Sequence, residues 1–174
     1  DAVRSNTTAS GNVGIGIDAL YTNTTGADNV AVGFQALSTN NGDNNTAVGN
    51  EAMEANTTGA SNTAVGGDTL GTNTSGANNT AVGQGALFYN TTASNNTAVG
   101  KSALVANTTG ALQTIVGASA GDALNTGSEN TAFGYDALGS DTKGNHSTAL
   151  GRSALATQNF TGATDVYNVA VGYK

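Results

Sequence analysis

The 174-residue chain contains no cysteine and no proline, and only 10% of it is charged. Without cysteine there is no disulfide framework, no thiol nucleophile and no thiolate metal site. Five lysines and arginines stand against twelve acids, for a net charge of −7. That balance argues against nucleic acid as a partner, because phosphate binding needs clustered positive charge. No apolar run approaches the ~18 residues of a membrane helix, and no signal peptide opens the chain. Asp1 rather than Met comes first, so the chain reads as a processed product or an excised segment. With 25 glycines among abundant asparagine and threonine, the composition borders on that of a disordered tract. The modest charge and the regular spacing of apolar residues exclude disorder.

What is present is repetition. The stretch Asn45–Gly66, NTAVGNEAMEANTTGASNTAVG, ends on the five residues with which it began. Aligned on the residue before an unvarying glycine, the copies fall at Ile15, Val32, Val48, Val65, Val82, Val99, Val116, Phe133, Leu150 and Val171. The intervals are 17, 16, 17, 17, 17, 17, 17, 17 and 21. So steady a period predicts an all-β fold, a parallel β-solenoid (β-roll) of about ten coils forming one domain over 1–174. Seventeen residues are too few for a helix pair, and glycine, asparagine and threonine are poor helix formers. They suffice for two short strands and two turns.

Each column has a physical reading. The glycines from Gly16 to Gly172 that follow the anchor mark a backbone turn that tolerates no Cβ. Three residues before the anchor stand Asn12, Asn29, Asn45, Asn62, Asn79, Asn96, Gln113, Asn130, Ser147 and Asn168. In a parallel stack their side-chain amides lie ~4.8 Å apart and form a ladder from coil to coil. The motif Asn56-Thr57-Thr58-Gly59, repeated at Asn73 and Asn107, is turn chemistry. An alanine column runs from Ala19 to Ala154, and the next residue along is Leu20, Leu37, Met53, Leu70, Leu87, Leu104, Leu138 or Leu155. Adjacent strand residues point to opposite faces, so alanine inside places this Leu row outside as a continuous apolar stripe. The row is therefore the predicted chain–chain interface of a lateral homo-oligomer.

The pattern departs from itself in three places. In the copy after Val116, Gly121 takes the Leu place and Leu124 comes three residues later. Between Leu150 and Val171 four extra residues make a loop near 160–167, whose Phe160 and Tyr167 mark it as the candidate contact loop; the alternative, which the sequence favours, is a loop that packs back on its own coil. Residues 1–11 and 168–174 read as two halves of one coil, so the chain is expected either to be cut from a longer array or to stack head to tail.

The repeats, as in Asn29-Val30-Ala31-Val32-Gly33 and Asn168-Val169-Ala170-Val171-Gly172, resemble the NxAVGxxAL arrays of trimeric autotransporter adhesin heads and phage tail fibres. The resemblance covers essentially the whole chain. It implies a left-handed parallel β-roll, three chains packed along their inner strands, no catalytic residues, and a role in attachment.

No cofactor, metal or catalytic site is indicated. His146, the single histidine, falls in a column of mixed polar residues and reads as an exposed coil position. Glu51 and Glu54 are not repeated in neighbouring copies and read as a solvated face. Gly11-Asn12-Val13-Gly14-Ile15-Gly16 has the wrong glycine order for a nucleotide loop and no following helix. The sequons at Asn56 and Asn107 read as turns rather than glycan sites. The expectation is a non-enzymatic, extracellular, self-assembling fibre segment used to attach to a surface receptor. The alternative is ice binding through the Thr rows: Thr57, Thr74, Thr91 and Thr108 in the turns, or Thr46, Thr63, Thr80 and Thr97 in the strands. No Thr-x-Thr pair runs through the strands, and the strand row is open to pointing inward.

Overall fold

The computed structural model describes all of residues 1–174 and contains no helix. Ten three-residue strands form one parallel sheet: β1 (Val13–Ile15), β2 (Val30–Val32), β3 (Thr46–Val48), β4 (Thr63–Val65), β5 (Thr80–Val82), β6 (Thr97–Val99), β7 (Thr114–Val116), β8 (Thr131–Phe133), β10 (Thr148–Leu150) and β12 (Val169–Val171). They stack in chain order and in strict register, Ala47 on Ala64 and Val48 on Val65. The solenoid has about nine turns, one fewer than the sequence suggested, because ten strands frame nine complete circuits. Two short strands, β9 (Gly144–Asn145) and β11 (Thr164–Asp165), pair separately beside the stack.

Each turn therefore has one regular strand instead of the two expected. Cohesion nevertheless continues around the circuit. Of 100 backbone hydrogen bonds only 19 lie within strands, so most of the stacking comes from bent segments that bond to the turn above or below. Asp68 N–H donates to Asn50 O at 2.9 Å, and two residues later Leu70 N–H donates to Ala86 O at 3.0 Å. The bend is written in the dihedrals. Asp68, Leu70 and Asn78 have φ of 57°, 52° and 58°, and the same three places are left-handed in turn after turn. Branched or bulky residues rarely adopt this region, and they hold it here because the stack satisfies their backbone groups on both sides.

This backbone overturns the expected direction of the Leu row. Alternation of side chains holds only for extended residues. At Ala-Leu the second residue is left-handed (φ 51° at Leu20 and Leu37, 54° at Met53 and Leu104), so both side chains turn inward. Leu20, Leu37, Met53, Leu70, Leu87, Leu104 and Leu138 are all fully buried within one chain, and Leu155 packs against the same core. These residues are the core of the solenoid and not a chain–chain interface. Alanine fills the other side, from the strand (Ala47, Ala64, Ala81, Ala98) and from the bend (Ala52, Ala86, Ala103).

The glycine after each anchor is required by close approach. At Gly83 φ is 127°, and a Cβ would lie 2.6 Å from the carbonyl carbon and oxygen of Gly100 in the next turn. Polar side chains seal the rest of the cross-section in two buried columns. In the first, the Asn45 side-chain oxygen accepts from Asn62 N–H at 2.9 Å, while Asn62 Nδ2 donates to Gly76 O at 2.8 Å. The expected ladder is present, though its main partner is backbone. In the second column amide does meet amide: Asn73 Nδ2 donates to Asn56 Oδ1, and Asn90 Nδ2 to Asn73 Oδ1, both at 2.8 Å.

Candidate functional site

With the apolar core enclosed, the outward face of the ten-stranded sheet becomes the notable surface. Each strand is outward–inward–outward, with alanine inside except at Gly14 in β1 and Ile115 in β7. From β3 to β10, leaving out β9 of the separate pair, the first outward place is threonine in all seven strands of the sheet. The second is the anchor: Val48 and Val65 are 36% exposed, Phe133 42% and Ile15 60%. From Thr46 to Val116 this two-column wall carries no charge over five successive turns. Toward the ends it becomes more apolar, with Val13 and Ile15 at one end and Val169 and Val171 at the other.

The two threonine rows differ in chemistry. In the turn row each hydroxyl is consumed by the stack: Thr57 Oγ1 donates to Thr74 O at 2.8 Å, Thr74 Oγ1 to Thr91 O at 3.0 Å, and Thr91 Oγ1 to Thr108 O at 3.1 Å. In the strand row, Thr46, Thr63, Thr80 and Thr97 point outward beside the anchors and their hydroxyls make no hydrogen bond within the chain. The wall thus presents methyls and free hydroxyls in fixed register. Sequence alone left the direction of this row open, since strand parity depends on where the alternation restarts after the left-handed residues.

The loop between Leu150 and Val171 packs back on the stack, the reading its sequence favours. Its strand β11 pairs with β9, and His146 lies between Asp165 of that strand and Glu129. His146 is half-buried, with Nδ1 3.5 Å from Glu129 Oε2 and Nε2 3.4 Å from Asp165 Oδ1, and its ring stacks on Tyr167 at 4.8 Å. Phe160 is half-buried and is held by its N–H to the buried Asp141 carboxylate at 3.1 Å. Tyr167 remains 67% exposed. The two aromatic residues of the candidate contact loop are therefore anchored by different turn residues.

The sequon asparagines are sealed inside. Asn56 and Asn107 are fully buried, and each closes its turn by donating to the carbonyl of Gly59 or Gly110 at 2.9 Å. No group of three or more His, Cys, Asp and Glu side chains is placed to hold a metal ion. No helix is long and apolar enough to cross a membrane. Comparison with family models, characterised proteins and solved structures yields no match, so the geometry alone carries the functional argument.

Proposed function

We propose that the chain is a stiff structural rod that works without catalysis, an extracellular fibre segment of the adhesin or tail-fibre kind whose task is attachment. One observation carries this reading: every turn is bonded and packed almost wholly along the axis, onto the turn before and after it. Backbone ladders, two asparagine columns and the Ala/Leu core all run lengthwise. Such a quasi-one-dimensional molecule lends itself to spanning and presenting, and it can grow by adding turns without altering its cross-section. Side-by-side association of chains, in threes as in the resembled family, stays within this proposal. Its contact must be made by an outer wall, because the Leu row is interior.

Small-angle X-ray scattering combined with light scattering tests the reading. Nine turns at ~4.8 Å give a rod roughly 45 Å long per chain. A rod-like scattering profile at a defined mass supports the proposal. A profile of an expanded or near-spherical particle refutes it.

A further inference from the structure

A rod built for attachment has to meet a surface. The strand wall is straight, uncharged and regular, and unlike the equally uncharged turn row it keeps its hydroxyls free of bonds within the chain. Successive turns repeat its side chains at about 4.8 Å, and the two outward residues of one strand lie roughly 6.6 Å apart. Parallel pairing in register keeps both repeats constant from Thr46 to Val116. The geometry points to ice as the ligand of this wall: the Thr/Val columns hold water in a two-dimensional order close to the oxygen repeats of hexagonal ice. This inference rests on the rod reading and names the surface to which the rod attaches.

Three features favour ice over a second copy of the chain. The first is area. A wall roughly 45 Å long and about 10 Å wide buries on the order of 500 Å² per chain in a face-to-face contact, short of the ~800 Å² per partner of a standard interface. The second is hydrogen bonding. A dry contact would leave the strand-row hydroxyls without partners, each at a cost of about 1–3 kcal/mol, whereas ordered water satisfies them. The third is mixture. Valine methyls beside each hydroxyl favour cage-like water around them, while the hydroxyls tie that water to the protein. The turn row cannot serve, because its hydroxyls are already donated to carbonyls of the next turn. Rigidity completes the argument: the buried asparagine that precedes each strand is bonded to the same residue of the next turn, which fixes the spacing of the wall and lowers the ordering cost of binding.

The experiment is thermal hysteresis and ice shaping with the purified full chain, its mass read in parallel by light scattering and its rod form by X-ray scattering. The expected result is a freezing-point gap with faceted crystals. Thr80→Lys combined with Thr97→Lys should abolish it, since both lie outside the core and project charge from the wall. Thr74→Lys combined with Thr91→Lys, in the consumed row, should leave it intact. Absence of hysteresis from a chain that keeps its rod form overturns the inference and leaves the rod reading standing. If that chain is also oligomeric and Thr80→Lys with Thr97→Lys separates the subunits, the wall is a chain–chain contact instead. Loss of the rod form itself in the unaltered chain overturns both readings. Equal hysteresis from both double variants overturns the assignment to the strand wall.

Discussion

The turns from Asn23 to Asn107 and the single turn from Val116 to Leu124 solve the same packing problem in two ways. In the regular turns leucine, or Met53 in one of them, fills the centre and a buried asparagine closes the corner, each amide donating to the asparagine of the turn before: Asn56 to Asn40, Asn73 to Asn56, Asn90 to Asn73, Asn107 to Asn90. In the irregular turn Gly121 vacates the leucine place and Leu124 occupies the asparagine place. The Leu124 side chain reaches back to within 3.1 Å of where a Gly121 Cβ would be, with Ile115 also close by, so the apolar volume is conserved. The amide is not. Asn107 Oδ1 faces Leu124 and is the only buried side-chain polar atom without a partner. One turn later the column restarts on Asp141, which has no donor to strand against Leu124. Its carboxylate accepts from Lys143 N–H, Gly144 N–H and Phe160 N–H, and from Gln158 Nε2 at 2.7 Å. Packing can thus be exchanged between two positions of a turn, whereas a hydrogen-bond column can only be ended and begun again.

The comparison can be broken or sharpened by substitution. The largest effect is expected at Gly83, where alanine would meet the Gly100 carbonyl; Gly83→Ala should cost at least about 4 kcal/mol in chemical denaturation. At Gly121, where a Cβ meets only flexible side chains, alanine should cost clearly less. Next comes the column itself. Asn73→Leu orphans the acceptor on Asn56 and the donor on Asn90 and overfills a centre that already holds Leu70, for a loss above about 3 kcal/mol. Adding Leu70→Gly copies the natural arrangement into a regular turn and should recover part of that loss. If the double variant is no better than the single one, the idea of a compensated exchange fails. Asp141→Asn should destabilise by about 1–3 kcal/mol, because it introduces an amide donor facing Leu124 and replaces a carboxylate oxygen that accepts from several N–H groups.

The smallest effect is electrostatic and also lies in the irregular turn. Burial, and then the nearby Asp136 carboxylate, raise the Asp122 pKa above the ordinary carboxylate value. A folded-state pKa above the unfolded one contributes stability that is fully present below the unfolded value and is lost as pH rises through the folded value. Acid should therefore favour this turn, from about pH 4 downward, relative to neutral solution. Melting temperature against pH should show the difference between the native chain and Asp122→Asn, in which the contribution is absent at every pH. Identical profiles would remove Asp122 from the account.

The repeat made much of this legible in advance. The period, the glycine that admits no Cβ, the inward alanines and the coil-to-coil asparagine column all follow from one residue type recurring at one place. The irregularity at Gly121 and Leu124 was visible too, although nothing in the residue order showed that the two positions exchange roles. Asn56 and Asn107 read correctly as turn residues, but their second function, the amide-to-amide column through the interior, depends on how neighbouring turns superpose. His146 and Tyr167, far apart in the residue order, meet only because the inserted loop folds back onto β9.

Sequence by itself determined that this chain is a stack: a seventeen-residue unit with too little apolar content to fold alone must lean on its copies. What only the tertiary structure decided is direction. Parity of side chains along a strand can be counted from residue order, but the count is broken by each left-handed residue, and three such residues stand in most turns. That break sends the leucines into the core and turns Thr and Val out onto the wall. Which rows a partner can reach was therefore settled by backbone dihedrals that the stack imposes and that no single turn would hold alone.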